Sequence, residues 1–210
     1  MSLFLGKIHY WLFNKIQWFE ALEKEMIKLA KEEGINVDTL RKPIVEKYGE
    51  ETKDLPLEDM IDTSNIHGWL QGTIHSAEGR MAALTKIMLE KENGKELLEK
   101  LYKDQGIKAA NEVKADGTVL ETAPEIYNSI NDYILDGMPC DRVNEVLSSS
   151  DTEVEWTRTI CVHKDIWEAE GVDVNLFYEL RGLWIKEFVN TVNDKFKYIE
   201  DNNTFKIIEK

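Results

Sequence analysis

Cysteine is scarce, with 2 in 210 residues. Two thiols, Cys140 and Cys161, are too few for the disulfide framework of a small secreted protein, and they fit a reducing compartment. The apolar start around Leu5 is interrupted by Lys7 and His9, and no small-residue cleavage site follows. A signal peptide is therefore not expected and a cytoplasmic location is. No apolar run approaches the roughly 18 residues of a membrane span, so no membrane partner is expected. Basic residues are also in short supply. Lys and Arg number 26 against 40 Asp and Glu, for a formal charge of -14. That balance argues against nonspecific nucleic-acid or anionic-membrane binding, which needs cations to displace phosphate counterions. Several motifs are missing as well: Gly-x-x-x-x-Gly-Lys, Gly-x-Gly-x-x-Gly after a strand, Gly-x-Ser-x-Gly and His-Glu-x-x-His. The common nucleotide, dinucleotide, serine-hydrolase and zincin mechanisms thus have no local support.

What is present is a globular composition, 42% hydrophobic and 10% aromatic. The length predicts one domain over 1–210, with a helical half at 1–137 and an α+β half at 138–210. Leu5, Ile8, Leu12, Ile16, Phe19, Leu22, Met26 and Leu29 recur at helical spacing over residues 5–33, and Gly34 reads as the stop. Phe4, Tyr10, Trp11, Phe13 and Trp18 make the first half of that helix apolar almost all round. Further helices are predicted over 38–48, 57–92, 95–115 and 121–136. The stretch 57–92 contains Gly68, Gly72 and Gly79, each costing about 1 kcal/mol relative to alanine, so either the helix breaks or something approaches closely. Gly106 is a candidate break in 95–115. The period then changes. Residues 153–163 alternate, with Val154, Trp156, Ile160 and Val162 on one face and Glu155, Thr157, Thr159, Cys161 and His163 on the other. A partner strand is predicted at 142–148, helices at 164–170 and 174–190, and a closing hairpin around Asp201-Asn202-Asn203. Helices bunched before and between four short strands indicate an α+β fold with a small antiparallel sheet.

Three groups can carry chemistry. His67, Gln71 and His75 are spaced by four, with Glu78 three further on. On a continuous helix they share one stripe, able to hold a polar ligand or a metal ion, or simply to face water. Cys161 and His163 share one face of the predicted strand. An imidazole beside a thiol can take its proton, which makes the couple a candidate nucleophile and base. The same two residues, with His67 and His75, are the candidate metal ligands if a metal ion is the cofactor. Plain packing of Cys161 is the third alternative. The last group is aromatic. Tryptophans at 11, 18, 69, 156, 167 and 184, with Tyr10, Phe13, Phe19 and Phe177, can wall an apolar ligand pocket, a core or a dimer interface. Arg158 and Arg181 lie near this material. Arg158 falls on the apolar strand face, so it meets either a buried carboxylate or an anionic ligand.

From Val154 to Ile208 the chain runs strand, Cys161-x-His163, short helix, Gly171, helix, a Phe-x-Tyr strand (Phe196, Tyr198) and a final strand with Phe205. This resembles the L-2-amino-thiazoline-4-carboxylate hydrolase-like family, which is distantly akin to vinyl-4-reductase-like ligand-binding domains. The resemblance covers the last third of the chain. It implies an α+β fold and hydrolysis of a cyclic amidine C–N bond, with the family's strand cysteine falling on Cys161. The family's later cysteine has no counterpart here. Two functions follow. One is a hydrolase of a small cyclic amidine or amide-like substrate, with Cys161 and His163 catalytic and Arg158 or Glu78 orienting substrate. The other is a small-molecule or metal-binding module without turnover. A structural homodimer with an aromatic interface is the third expectation.

Overall fold

The structure, a computed structural model, describes residues 5–210; Phe4 lies outside the described residues. The fold is α+β. Its helices are α1 (Lys7–Glu32), α2 (Val37–Tyr48), α3 (Ile66–Leu89), α4 (Gly94–Ala115), α5 (Ala123–Asn131), α6 (Lys164–Ala169) and α7 (Val174–Val192). The strands are β1 (Asn144–Ser149), β2 (Glu153–Arg158), β3 (Phe196–Asp201) and β4 (Thr204–Glu209). They form one antiparallel sheet in the order β1-β2-β4-β3.

Local chemistry sets the helix ends. Asn65 accepts from Gly68 N at 3.2 Å and caps α3, Thr122 and Glu125 make a reciprocal capping box on α5, and Asp173 accepts from Asn175 N at 2.8 Å on α7. The stop at Gly34 holds, with φ at +77°. The helix predicted from residue 57 begins only at Ile66. Leu57–Asp59 is a 3₁₀ turn, and Asp62 folds the next segment by accepting from the amide and hydroxyl of Ser64. The glycines do not break α3. A Cβ at Gly68 would lie 2.2 Å from the Asn65 side chain, and one at Gly79 would lie 2.3 Å from the Tyr48 ring. Gly72 has nothing within 4 Å. Gly106 does not break α4 either. A Cβ there would stand 2.4 Å from the carbonyl oxygen of Trp184, so this glycine lets the α4 and α7 backbones meet.

The strand predicted over 153–163 stops at Arg158, and the reason lies in its neighbours. Asn144, the first residue of β1, pairs with Arg158, and Thr204, the first of β4, pairs with Thr157. Past that point Thr159 still donates to Val143 O at 2.7 Å, but no ladder continues. Ile160, expected inward, is 46% exposed. The helix predicted over 121–136 likewise ends at Asn131, and Asp132 to Gly137 run as a connection.

Helices cover the sheet face that carries Val154, Trp156, Phe205 and Ile207, all buried. The main core draws on both halves of the chain, from Leu22 and Met26 on α1 to Phe188 and Val189 on α7. A second cluster joins Leu12, Phe13 and Ile16 to Leu57, Ile61, Leu70 and Leu135. Between α1 and α3, Arg80 is 1% exposed, and its guanidinium bonds Glu20 at 2.7 Å and Glu23 at 3.0 Å. Among the described residues no helix is long and apolar enough to cross a membrane.

Candidate functional site

Four enclosed side chains form a line of alternating charge. Glu78 on α3 lies 2.7 Å from Nδ1 of His163, which opens α6. Asp136, in the connection after α5, lies 2.9 Å from Nε2 of the same ring and accepts from Arg181 Nη1 at 2.8 Å. Asn144 at the start of β1 donates to the other Asp136 oxygen at 2.7 Å. His163 is 0% exposed, with Phe177 against its ring at 4.7 Å between centroids. A carboxylate at each nitrogen suits the doubly protonated imidazolium, whose two N–H groups both donate. Burial opposes that charge, but Glu78 and Asp136 outweigh it and raise the pKa to about 9. Burial would also raise Asp136; Arg181 and His163 instead hold its carboxyl well below the usual range.

Tyr178, one residue after Phe177, connects this line to the surface. Its hydroxyl donates to Cys161 Sγ at 3.0 Å. Cys161 is exposed. Partial burial works against its thiolate, yet the Tyr178 hydroxyl, the backbone amides of His163 and Lys164 and the charge on His163 bring the thiol pKa below its ordinary value. Arg158 places its guanidinium 3.3 Å from the Tyr178 ring centroid and 5.1 Å from that of Phe205. It makes no ion pair among the described residues, and its buried Nε has no hydrogen-bond partner among them. Burial, and then the charge of Arg181, lower its pKa.

Arg158 and Tyr178 line an open groove of about 650 Å³ between α7 and the sheet. Asn175, Gly182 and Lys186 continue the α7 wall, and Tyr198, Asn202 and Asn203 the opposite one. Glu179 and Glu200 also line it. The first is paired with Lys95 at 2.8 Å, and the second accepts from Tyr198 OH at 3.3 Å.

The structure thus brings together Glu78, Arg158, Cys161 and His163, but not as the alternation predicts. Cys161 and His163 do not share a strand face, because β2 has ended before either. The thiol is exposed and the imidazole is enclosed, with both nitrogens taken by carboxylates. The stripe on α3 is split as well. From Ala77 to Thr85 every residue is buried, so α3 is enclosed all round there and Glu78 points inward. His67 and His75 stay exposed, the first 5.6 Å from the His9 ring, the second with Nε2 2.9 Å from Gln71 Nε2. No three of the candidate metal ligands converge among the described residues. Of the aromatic residues, Trp18, Phe19, Phe177 and Trp184 line one small hollow, while Trp156 and Trp167 are core.

Sequence reasoning missed Tyr178 and Asp136. Tyr178 was one aromatic among several on an amphipathic helix. Asp136 precedes Gly137 and Pro139 and reads as turn chemistry. Arg181 carried a usable signal, since it sits one helical turn after Phe177 on an apolar stripe and needs a buried acid there. Among known proteins, no family model, curated protein or solved structure matches this chain.

Proposed function

We propose that this protein is a small-molecule-binding module that holds an anion, a small carboxylate or phosphate, at Arg158 in the groove between α7 and the sheet. One observation carries the reading: a guanidinium without a carboxylate partner, in a chain with 40 acidic residues and a charge of -14. Acids are plentiful here, so an unpaired arginine does not reflect a shortage of partners. The Tyr178 ring holds the guanidinium in place before any ligand arrives, and a guanidinium fork suits the two oxygens of a carboxylate or phosphate. The Asp136–Arg181 pair braces that ring, with Arg181 5.1 Å from its centroid. His163, charged and fully engaged, serves this frame and takes no proton from Cys161.

A thermal-shift screen tests the proposal with acetate, benzoate and inorganic phosphate against chloride at fixed ionic strength. A ligand at 100 times its Kd stabilises by about 2.7 kcal/mol, which is roughly 5–10 °C in Tm for a chain of this size. R158Q abolishes the shift, and R158K keeps only part of it. No shift with any of the three anions, or an equal shift in R158Q, contradicts the proposal.

The lowered thiol pKa favours one second reading, the hydrolysis that the family resemblance implies. Cys161 is then the nucleophile toward an anion held by Arg158, and Tyr178, not His163, is the group at the sulfur. Native protein treated with iodoacetamide near pH 7 alkylates quickly at Cys161 under this reading, at a rate that Tyr178→Phe reduces. A thiol that reacts only after denaturation ends it.

A further inference from the structure

Behind the Arg158 groove, on the inner side of α7, lies a narrow, partly open hollow of about 30 Å³. Trp18 and Leu22 on α1, Tyr102 on α4, Tyr133 in the connection after α5, and Arg181 and Trp184 on α7 line it. Its wall is largely aromatic and apolar; Gln105 also lines it but is already engaged with Trp18 O and Trp184 Nε1, which leaves two other polar groups. The Tyr102 hydroxyl is buried and has no hydrogen-bond partner among the described residues, in a side chain only 3% exposed. Arg181 spends one nitrogen on Asp136 and makes no other hydrogen bond among them. Leaving a phenolic hydroxyl unpaired in an interior costs about 1–3 kcal/mol, so this tyrosine, where phenylalanine would pack as well, calls for an acceptor.

We infer that the hollow is the contracted form of a second binding site, for a flat neutral molecule carrying one hydrogen-bond acceptor. Flatness follows from the walls, which are aromatic on three sides. The acceptor follows from the Tyr102 hydroxyl, a buried donor without a partner among the described residues. Neutrality follows from the charges: Arg181 is the charged residue in the lining, and the line Glu78, His163, Asp136, Arg181 already balances two carboxylates against two cations. At about 30 Å³ the hollow is too small for a benzene-sized guest, which needs on the order of 150 Å³. The added room comes from side chains alone. Trp18 and Tyr133 are only partly buried and meet edge to face at 4.8 Å, so they form a gate that can swing outward. Gln105 fixes the opposite wall, donating to the backbone Trp18 O at 2.9 Å and accepting from Trp184 Nε1 at 3.0 Å, and leaves the Trp18 and Tyr133 rings free to move. The site is separate from the Arg158 groove in both place and ligand chemistry.

Three probes of similar shape test the inference: acetophenone, which has one carbonyl acceptor, ethylbenzene, which has none, and benzoate, which is charged. Quenching of tryptophan fluorescence reports binding, because Trp18 and Trp184 line the hollow. In wild-type protein acetophenone binds about tenfold more tightly than ethylbenzene, and Tyr102→Phe removes that preference without lowering the Tm of the unliganded protein. R158Q leaves acetophenone affinity unchanged while it loses benzoate, so failure of one site is distinguishable from failure of the other. Equal affinities for acetophenone and ethylbenzene in wild-type protein overturn the inference, even if Y102F does not fold. No acetophenone binding up to its solubility limit, or binding that Y102F leaves intact, overturns it too.

Discussion

Glu78 and His163 stand 85 positions apart and meet as an ion pair in the interior. Each was visible in the sequence, but in different groups, because spacing along a chain says nothing of contacts between distant segments. The inward position of Arg158 was legible for the opposite reason: strand alternation is local and assigns a face. The buried pair has a consequence in solution. Burial disfavours the imidazolium, yet Glu78 and Asp136 raise its pKa to about 9 from an unfolded value near 6.5. Between those values the folded protein keeps a proton that the unfolded chain has released, so this contribution is fully present below pH 6.5 and is lost as pH rises through about 9. Urea unfolding at pH 6.5 and pH 8.5 reads it: wild-type stability falls over this interval by more than that of His163→Gln. Equal slopes in the two proteins contradict an imidazolium at this position.

At the scale of elements, periodicity located the seven helices and four strands of the described residues, but it misplaced the start of α3 and the ends of α5 and β2. The alternation of 153–163 continues past Arg158 in side-chain polarity alone, since neither neighbouring strand supplies backbone partners beyond Thr157 and Arg158. Interior glycines raised a question that sequence could not answer, and the structure answers each one differently. Gly106 separates the α4 and α7 backbones by the thickness of no side chain, so Gly106→Ala forces them apart and destabilises by about 1–3 kcal/mol. Gly72 is helical with open space where its Cβ would stand, so Gly72→Ala stabilises by up to about 1 kcal/mol. Denaturant midpoints of the two variants check the contrast. A neutral Gly106→Ala would contradict the close approach of these helices.

Across the whole molecule, α4 and α7 bind the helical half to the sheet half in one core, and α7 has a site on each of two faces. Toward the sheet it offers Tyr178 beneath Arg158 and the groove. Toward α1 and α4 it offers Arg181 and Trp184 to the hollow. The two halves and the α+β class were readable from composition and period, because burial follows local pattern. The site was readable only in part: Glu78, Arg158, Cys161 and His163 were candidates, but Asp136 and Tyr178 gain their roles only from segments that folding brings beside them. The claim on which the proposed function depends is the guanidinium of Arg158, without a carboxylate partner among the described residues, at the groove. Isothermal titration of benzoate into wild-type protein and R158Q, at one fixed ionic strength, measures it most directly. The account predicts saturable binding to wild-type protein at one site and none to R158Q; saturable binding of equal strength in both, or none in either, would contradict it.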